Sequence, residues 1–277
     1  MEQINCNAKP ILRWAGGKTW LLKDIHNYLP KKFNNYYEPF IGGGSVYIHL
    51  NSTNRIQNKA FLSDQNSDLI NAYNVIKNEP NSLIELLKEF KNEKDFYYYL
   101  RGQNFTNNIQ QAAQFIFLNR TSFNGIYRVN LKGEYNVPFG FKTYKTLFDF
   151  DNLIKLSQMF QNTFFNSCDF ENILEDIKKN DLVFLDPPYT VAHENNGFIK
   201  YNQKIFAWED QIRLAAFIEK LKSKKAFYIM TNAAHNNIDN LFQDIGKKHK
   251  LKRFSVVGGK GAKREEISEY IFTNCII

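Results

Sequence analysis

Short apolar runs without polar alternation recur along the chain, and helical patterns separate most of them. This feature constrains the fold most, because such runs are typical of strands buried on both faces of a sheet. The runs are NYYEPF, KAFLSD, TFFNS, DLVFLD, AFYIMTN and EYIFTN. The helical patterns are GSVYIHLN, SDLINAYNVIKN, WEDQIRLAAFIEKLKS and IDNLFQDIGKK. The alternation predicts an open α/β sheet of parallel strands with helices on both faces.

The alternation stops for a long stretch between Asp64 and the run TFFNS. That stretch holds the helix-like segments SLIELLKEF, KDFYYYLR and NIQQAAQFIFLNR. It continues with IYRVNLKGEYNVPF, whose two β-like runs around Lys132 and Gly133 predict a hairpin. We therefore interpret residues 68–154 as a helical-plus-hairpin insertion in an α/β domain made of residues 1–67 and 155–277.

The net charge of +8 and the pI near 9.1 favour a polyanionic partner, with nucleic acid first and an anionic membrane second. The three cysteines lie far apart without CxxC or Cys/His spacing, so no metal site or disulfide framework is expected. The N-terminal residues are polar and no apolar run approaches the length that spans a bilayer. These features predict a cytoplasmic protein without membrane association.

The segment ILRWAGGKTWLL ends like a phosphate-binding loop at Gly16-Gly17-Lys18-Thr19. That loop requires a glycine five residues before Gly17, where this chain has Leu12, and a preceding buried strand. A nucleoside-triphosphatase interpretation is therefore weak. The alternative is a tight Gly-Gly turn before a helix over KTWLLKDIHNYL, whose apolar residues recur at helical spacing. Neither interpretation accounts for Arg13 and Trp14.

The segment LVFLDPPYT carries the strongest functional signal. A buried strand delivers Asp186 to its carboxyl end, which is where open α/β sheets place their ligands. Pro187 and Pro188 cannot donate backbone hydrogen bonds, so the Asp186 carboxylate and the Pro187 carbonyl stand side by side as acceptors. With the ring of Tyr189 they suit a planar group that bears an exocyclic amine, such as a nucleobase edge. The alternative is a strand that merely ends at an acidic turn.

The segment YYEPFIGGGSVY places glycines between a predicted strand and a predicted helix. Glycines there let a ligand approach the backbone and the helix N-terminus closely. Asp64 ends the next strand roughly twenty residues later, where an acidic side chain commonly accepts ribose hydroxyls. It could equally cap the helix that begins near Asn66 or Ser67. Together these elements make a nucleoside-binding half-fold.

Six segments in one order resemble the Dam-type, D12 class of DNA adenine-N6 methyltransferases, which use S-adenosylmethionine. The segments are RWAGGKTWLL, EPFIGGGSV, SDQNSDLI, LNRTSFNGIYRVNLKGEYNVPFG, NSCDFENIL and LDPPYT. The resemblance spans nearly the whole chain. It implies a Rossmann-like methyltransferase sheet and makes residues 68–154 the DNA target-recognition domain.

The resemblance implies a cofactor site for S-adenosylmethionine. Trp14 and Lys18 would touch its methionine portion, Asp64 its ribose, and Asp169 with Phe170 its adenine. The implied cofactor residues are Trp14, Lys18, Phe40, Gly42, Gly44, Asp64, Asp169, Phe170 and Asp186. The implied catalytic residues are Asp186, Pro187, Pro188 and Tyr189, which would hold an adenine flipped out of the duplex. No metal and no covalent intermediate are expected.

The segment NRTSFNGIYRVNLKGEYNVPFG is the predicted reader of double-stranded DNA, because Arg and Asn suit base contacts in the major groove. The resemblance implies DNA contacts for Arg13, Phe123, Asn124, Ile126, Arg128 and Pro138. The charges of Lys260, Lys263 and Arg264 favour phosphate contacts. The alternatives are a hairpin that caps its own backbone and a solvated glycine loop. GATC is the leading hypothesis for the target.

Several alternatives stay open at this level. Related enzymes with similar tetrapeptides methylate cytosine N4, RNA adenine or protein glutamine, and a catalytically idle DNA-binding module is a further possibility. Residues 190–210 depart from the Dam pattern and could form a lid, whereas His193 is more often an incidental loop residue. A monomer associated with the nucleoid is expected, and a cognate restriction endonuclease is left open.

Overall fold

The computed structural model describes residues 8–130, 132–190, 206–254 and 266–275, without the side chains of residues 253, 254 and 266. The chain forms two compact units. The first comprises Met1–Thr19 and Ile41–Cys168, and the second Trp20–Phe40 and Asp169–Ile277. The sequence patterns divide the chain by function, into a catalytic domain and an inserted domain at 68–154. These bounds differ from those of the two compact units, and the division by function stays a prediction.

The strands are β1 Tyr36–Glu38, β2 Ala60–Asp64, β3 Thr163–Ser167, β4 Leu182–Leu185, β5 Phe227–Ala233, β6 Lys247–Phe254 and β7 Glu266–Thr273. The α-helices are α1 Ser45–Ser52, α2 Ser67–Asn78, α3 Pro80–Lys88, α4 Lys94–Arg101, α5 Asn108–Thr121, α6 Phe150–Met159, α7 Trp208–Ser223 and α8 Asn236–Phe242. In the described residues, α-helices separate β1 from β2, β4 from β5 and β5 from β6, and five consecutive α-helices lie between β2 and β3.

In the first unit, β2 and β3 pair in parallel from Ala60↔Thr163 to Asp64↔Ser167. The helix α2 joins the insertion to this pair, because its buried face packs on α5 and α6 and also contacts β3. Leu69 and Ile76 of α2 and Phe117 of α5 are completely buried. This packing ties the helices of the insertion to the strand that ends at Asp64.

In the second unit, the strand order is β1-β4-β5-β7-β6. The pairs β1–β4 and β4–β5 are parallel, and β4–α7–β5 forms a crossover unit that brings the carboxyl ends of β4 and β5 to one edge. The strand β7 runs antiparallel to both β5 and β6. The α/β class is therefore confirmed, but the prediction that EYIFTN is a parallel strand is wrong.

The sequence patterns missed β6, whose residues are KKHKLKRF. Its first residues were predicted to end the helix IDNLFQDIGKK, but α8 stops at Phe242. The reason is that β6 forms the outer strand and pairs only with β7, so its side chains need not be apolar. An edge strand rich in lysine carries no apolar periodicity by which it could be recognised.

The predicted helix over KTWLLKDIHNYL is also wrong. Residues 19–24 form tight turns, and only a 3₁₀ helix at Ile25–Tyr28 follows. Leu21, Ile25 and Tyr28 are buried on one side, so the apolar spacing is realised without an α-helical backbone. A proline at position 30 leaves little room for a longer helix, because the residues before a proline disfavour the α conformation.

The predicted hairpin forms its turn at Lys132 and Gly133, but its pairing is limited to isolated bridges. These are Val129↔Tyr135 and Ser122↔Phe139. The side chain of Asn130 stabilises the turn, because its Oδ1 accepts from the backbone N–H groups of residues 132 and 134. The structure therefore places a tight loop, not a long ribbon, after α5.

Two further findings concern the described ranges only. None of their helices combines the length and apolar character that crossing a membrane requires. Within the same ranges, no group of three or more His, Cys, Asp or Glu side chains could hold a metal ion. Cys168 and Cys275 are both free thiols, and burial raises the pKa of Cys275 to about 11.

Candidate active site

The indole of Trp14 lies against the glycine turn that follows Phe40. A β-carbon at Gly42 would lie 2.5 Å from Cδ1 of Trp14, and one at Gly43 would lie 3.2 Å from its Cβ. Gly42 also has φ +46°, a conformation that other residues rarely adopt. The same indole stacks on Tyr127, with ring centroids 5.4 Å apart. Only glycine at position 42 allows this approach.

The glycine turn is held from within the first unit. The hydroxyl of Tyr73 on α2 donates to the Gly42 carbonyl at 2.8 Å, and Tyr73 is 2% exposed. Gly44, with φ +67°, occupies the N-cap of α1, and its N–H donates to the Ile41 carbonyl. The turn therefore leads directly into α1, as predicted, with a buried side chain supporting its backbone.

Lys18 is buried within its own loop and is 2% exposed. Its Nζ donates to the Gly16 carbonyl at 2.7 Å. From residue 8 onward, no strand precedes this loop and no α-helix directly follows it, whereas a phosphate-binding loop connects those two elements. The resemblance of Gly16-Gly17-Lys18-Thr19 to such a loop is therefore local only.

The carboxylate of Asp64 joins the end of β2 to the glycine turn. Its Oδ2 accepts from the Gly42 N–H at 3.2 Å and its Oδ1 from the Asn66 N–H at 3.0 Å. Burial raises the pKa of Asp64, and these backbone hydrogen bonds offset part of the rise. The cap of α2 is Asn66, which accepts from the Leu69 N–H. The alternative interpretation of Asp64 as the helix cap is therefore wrong.

In the second unit, Phe40 and Phe170 lie close together at the ends of different elements. Their ring centroids are 5.5 Å apart, and Phe206 contacts both rings. Asp169 caps the 3₁₀ helix Phe170–Ile173, because its Oδ1 accepts from the Glu171 N–H at 3.0 Å. The unit thus presents an aromatic pair beside a carboxylate, which suits a planar heterocycle.

Arg213 on α7 holds this pair in place, and the sequence patterns did not identify it. Its guanidinium donates to Asp169 and Glu171 at 2.7 Å and to Asp210 at 2.8 Å. It also lies over the ring of Phe170, 4.9 Å from the centroid. The hydrogen bond to Glu171 is the largest of the causes that raise the pKa of Arg213.

Asp186 follows β4 directly, and a side chain of the neighbouring strand β5 holds it. The Thr231 hydroxyl, which is completely buried, donates to Asp186 Oδ1 at 2.7 Å. Tyr189 is held by β7, because its hydroxyl donates to Glu269 Oε2 at 2.6 Å. Of the two prolines between these residues, Pro187 is buried and Pro188 is partly exposed. The tetrapeptide therefore has an anchor at each end.

A chain of buried polar groups fixes the residue that follows Tyr189. Asn232 donates to the Gln211 side chain at 3.0 Å, and Gln211 donates to the Thr190 hydroxyl at 3.0 Å. Thr190 in turn donates to the Phe206 carbonyl. Gln211 and Asn232 are completely buried, so these hydrogen bonds satisfy groups that water does not reach.

Arg13 lies beside the segment predicted to read DNA. The buried side chain of Asn119 accepts from the Arg13 N–H at 2.9 Å and donates to the Arg13 carbonyl at 2.9 Å. The Arg13 side chain packs against Gly125, where a β-carbon would collide with it. The first unit therefore brings the N-terminal motif and the end of α5 together.

The predicted recognition residues show different degrees of exposure. Phe123 is 53% exposed, and its N–H donates to the carbonyl of Pro138, which is itself exposed. Asn124 is exposed with φ +56°, and Ile126 is partly buried. The exposed side chain of Arg128 donates to Asn136 at 2.8 Å. This bond joins two side chains, whereas the backbone capping that the alternative interpretation expected comes from Asn130.

The structure adds a positive cluster that the patterns did not single out. Burial and the charges of Arg13 and Arg120 lower the pKa of Lys142, which shows that three cations lie near one another. Phe141, beside Lys142 in the chain, is 71% exposed. Lys260, Lys263, Arg264 and His193 lie outside the described residues.

Comparisons with known proteins indicate the same class of protein as the sequence motifs. A family model for the D12 class N6 adenine-specific DNA methyltransferase matches residues 14–256. The chain is 34% identical to the Type II methyltransferase M1.LlaDCHI of Lactococcus lactis over 99% of this chain and 98% of that protein. It is 37% identical to the Type II methyltransferase M.MjaIII of Methanocaldococcus jannaschii over 96% and 99%. It is 33% identical to the DNA adenine methylase of Haemophilus influenzae over 95% and 92%.

We expect Gly42→Ala to lower the free energy of unfolding by about 2 kcal/mol or more, since it adds a collision to a strained φ. The stacked indole of Trp14 has little room to move away from the new methyl group. Gly133→Ala is the control, because Gly133 has φ +80° but nothing within 4 Å of its β-carbon position. Urea denaturation measures both, and equal losses would refute the close packing of Trp14.

Proposed function

We propose roles for individual residues of this chain, which belongs to the D12 class of N6 adenine-specific DNA methyltransferases. The enzyme transfers a methyl group from S-adenosylmethionine to N6 of adenine in DNA, and its α/β fold is the Rossmann-like fold of such methyltransferases. Membership of this class sets aside cytosine N4, RNA adenine and protein glutamine as the target. It also sets aside a catalytically idle module and a nucleoside triphosphatase.

In the first unit, we assign Asp64 to the ribose of the cofactor. Its carboxylate lies at the carboxyl end of β2 and already orders the turn at Gly42 through a hydrogen bond. A carboxylate can accept more hydrogen bonds than the backbone groups supply, so ribose hydroxyls have acceptors there. Trp14 and Lys18 would contact the methionine portion, while Gly42 and Gly44 leave space where side chains would stand.

In the second unit, we assign Phe40, Asp169 and Phe170 to the adenine of the cofactor. The two rings supply apolar faces, and the Asp169 carboxylate can accept from an exocyclic amine. Arg213 would keep that carboxylate oriented through its hydrogen bond at 2.7 Å. These groups fit S-adenosylmethionine, which supplies an electrophilic methyl group when it is bound.

We assign the catalytic role to Asp186, Pro187, Pro188 and Tyr189, and the anchoring of Asp186 and Tyr189 is the observation that carries it. The Asp186 carboxylate and the Pro187 carbonyl would accept hydrogen bonds from the N6 amine and orient its lone pair. Tyr189 would stack on the adenine ring, offsetting the few kcal/mol that base flipping costs. Catalysis would rest on positioning and electrostatics, with direct transfer of the methyl group and no covalent enzyme intermediate.

Recognition of the target would fall to Arg13 and the segment from Phe123 to Pro138. Phe123 is exposed and could fill the gap that a flipped base leaves. Arg128, Asn124, Ile126 and Pro138 would contact base edges, with Lys260, Lys263 and Arg264 on phosphates. The cluster of Arg13, Arg120 and Lys142 adds positive charge on the same unit. GATC is the proposed site because it agrees with the resemblance to Dam-type enzymes.

A cognate restriction endonuclease of the same specificity is the proposed partner system, because two relatives carry the name Type II methyltransferase. An enzyme that modifies double-stranded DNA works where that DNA lies, so we propose the cytoplasm, at the nucleoid, as its location. The monomeric state and a lid formed by residues 190–210 stay predictions.

We expect Asp186→Asn to lower the single-turnover rate of methyl transfer by about 10² or more, because the ionised acceptor for N6 is lost. Asp239→Asn is the matched control, since it makes the same chemical change at an ion pair with Lys248. Methylation of duplex DNA with labelled cofactor measures both rates. Near-normal turnover by folded Asp186→Asn would contradict the catalytic assignment.

The affinity for S-adenosylmethionine should fall as pH falls through a value above the ordinary pKa of aspartic acid. The reason is that burial raises the pKa of Asp64, and protonation removes an acceptor for the ribose. Titration calorimetry from about pH 8 to pH 5 follows the change. Asp64→Asn should remove this acidic limb, whereas Asp95→Asn on the exposed face of α4 should keep it. An unchanged limb in Asp64→Asn would contradict the ribose assignment.

Single-molecule mapping of methylated DNA of mixed sequence should find N6-methyladenine confined to GATC. Arg128→Gln should relax discrimination at one base pair by roughly 10- to 100-fold, because a bidentate base contact is lost. Lys132→Gln at the exposed tip of the hairpin is the control. Methyladenine in another motif would keep the chemistry and refute GATC. Unchanged specificity in Arg128→Gln would refute its role in recognition.

A further inference from the structure

Glu269 is a buried carboxylate at the active site that the proposed chemistry does not use. It is 1% exposed and lies in β7, opposite Ala233 of β5. Its Oε2 accepts a hydrogen bond of 2.6 Å from the hydroxyl of Tyr189. At this distance the two oxygens are in close hydrogen-bonding contact.

A carboxylate in such a place costs stability unless its hydrogen bonds compensate for the lost water. The neighbouring positions Tyr270, Ile271 and Phe272 show that the strand can fill its surroundings with apolar side chains. Packing alone therefore does not explain an acidic residue at position 269. Its hydrogen bond to Tyr189 offers a further explanation.

The prolines of the segment Asp186–Tyr189 leave its backbone with fewer hydrogen-bond donors. Pro187 and Pro188 have no N–H group, so neither can donate a backbone hydrogen bond to the neighbouring strand. Side chains of the sheet therefore contribute to the orientation of the segment. Thr231 of β5 holds Asp186 at one end, and Glu269 of β7 holds Tyr189 at the other.

The register of the two strands places both anchors on one face of the sheet. Thr231 pairs with Ile271 and Ala233 pairs with Glu269, so the anchors are two residues apart along paired strands. Both belong to the second unit, as do Asp186 and Tyr189. A rigid sheet therefore sets the separation between the carboxylate and the aromatic ring.

We propose that Glu269 is a positioning residue for methyl transfer, whose hydrogen bond holds the ring of Tyr189 in the orientation that stacks on the flipped adenine. This inference rests on the proposed stacking role of Tyr189. Without the hydrogen bond, the ring would sample other rotamers, and a smaller fraction of enzyme would hold the base correctly. Loss of the hydrogen bond would impair the stacking of the target base and the rate of methyl transfer. The affinity for S-adenosylmethionine would stay unchanged.

The test compares Glu269→Gln, Tyr189→Phe and the double variant in the full-length enzyme. Tyr189→Phe keeps the ring and removes the hydrogen bond without altering Glu269, so it tests the proposal even where Glu269→Gln folds poorly. We expect Tyr189→Phe to lower the single-turnover rate roughly tenfold and Glu269→Gln to lower it several-fold. The double variant should be no slower than Tyr189→Phe, because the two changes remove one shared interaction.

Two further readouts separate positioning from a general loss of structure. The fluorescence of 2-aminopurine at the target base should show less complete stacking in the variants. The dissociation constant for S-adenosylmethionine should stay within about twofold of the wild-type value, and Glu219→Gln on the exposed face of α7 is the control. A wild-type rate in folded Tyr189→Phe would overturn the proposal, and so would independent, multiplicative losses in the double variant.

Tyr189→Ala distinguishes failure of this inference from failure of the proposed function. If Tyr189→Ala methylates normally, the stacking role itself is refuted. If Tyr189→Ala is severely impaired while Tyr189→Phe and Glu269→Gln are not, the ring is required but the anchor is not. Impairment of all three, with the double variant no slower than Tyr189→Phe, supports Glu269 as the residue that orients the ring.

Discussion

Two consecutive prolines at the end of β4 set the constraint on which the active site depends. Because Pro187 and Pro188 lack N–H groups, the segment that carries Asp186 and Tyr189 has two fewer backbone donors. Buried polar side chains from β5, β7 and α7 add hydrogen bonds that hold it. Thr231 and Glu269 bond directly to the segment, while Gln211 fixes Thr190 just beyond it.

The glycine turn of the first unit differs from the proline segment, because its structure depends on the absence of side chains. The indole of Trp14 occupies the space that a side chain at Gly42 would need. The turn is then fixed through its backbone, by the Tyr73 hydroxyl and the Asp64 carboxylate. A rigid backbone with little side-chain bulk is what close approach of a cofactor requires. In both units, side chains from neighbouring elements determine how precisely the loop is positioned.

The sequence patterns predicted the strands and helices whose apolar residues recur at a regular period. The strands that end at Asp64 and Asp186, and the helices α2 and α7, were predicted because apolar residues repeat at their natural periods. The strand β6 was missed because an edge strand tolerates lysines, and the helix after Lys18 was wrong because apolar spacing is also compatible with tight turns. Apolar periodicity indicates which side of a segment is buried, but it does not determine the backbone conformation of that segment.

The sequence by itself determined the chemical class, because the motifs that contain Asp186, Tyr189, Asp64 and the glycines between Phe40 and Ser45 lie at the ends of local elements. Only the tertiary structure decided which groups support them. Glu269 lies 80 residues from Tyr189, and Arg213 lies 44 residues from Asp169. Such partners are chosen by strand order and by helix packing, which bring distant residues within hydrogen-bonding distance. A single sequence contains no period or spacing that marks them.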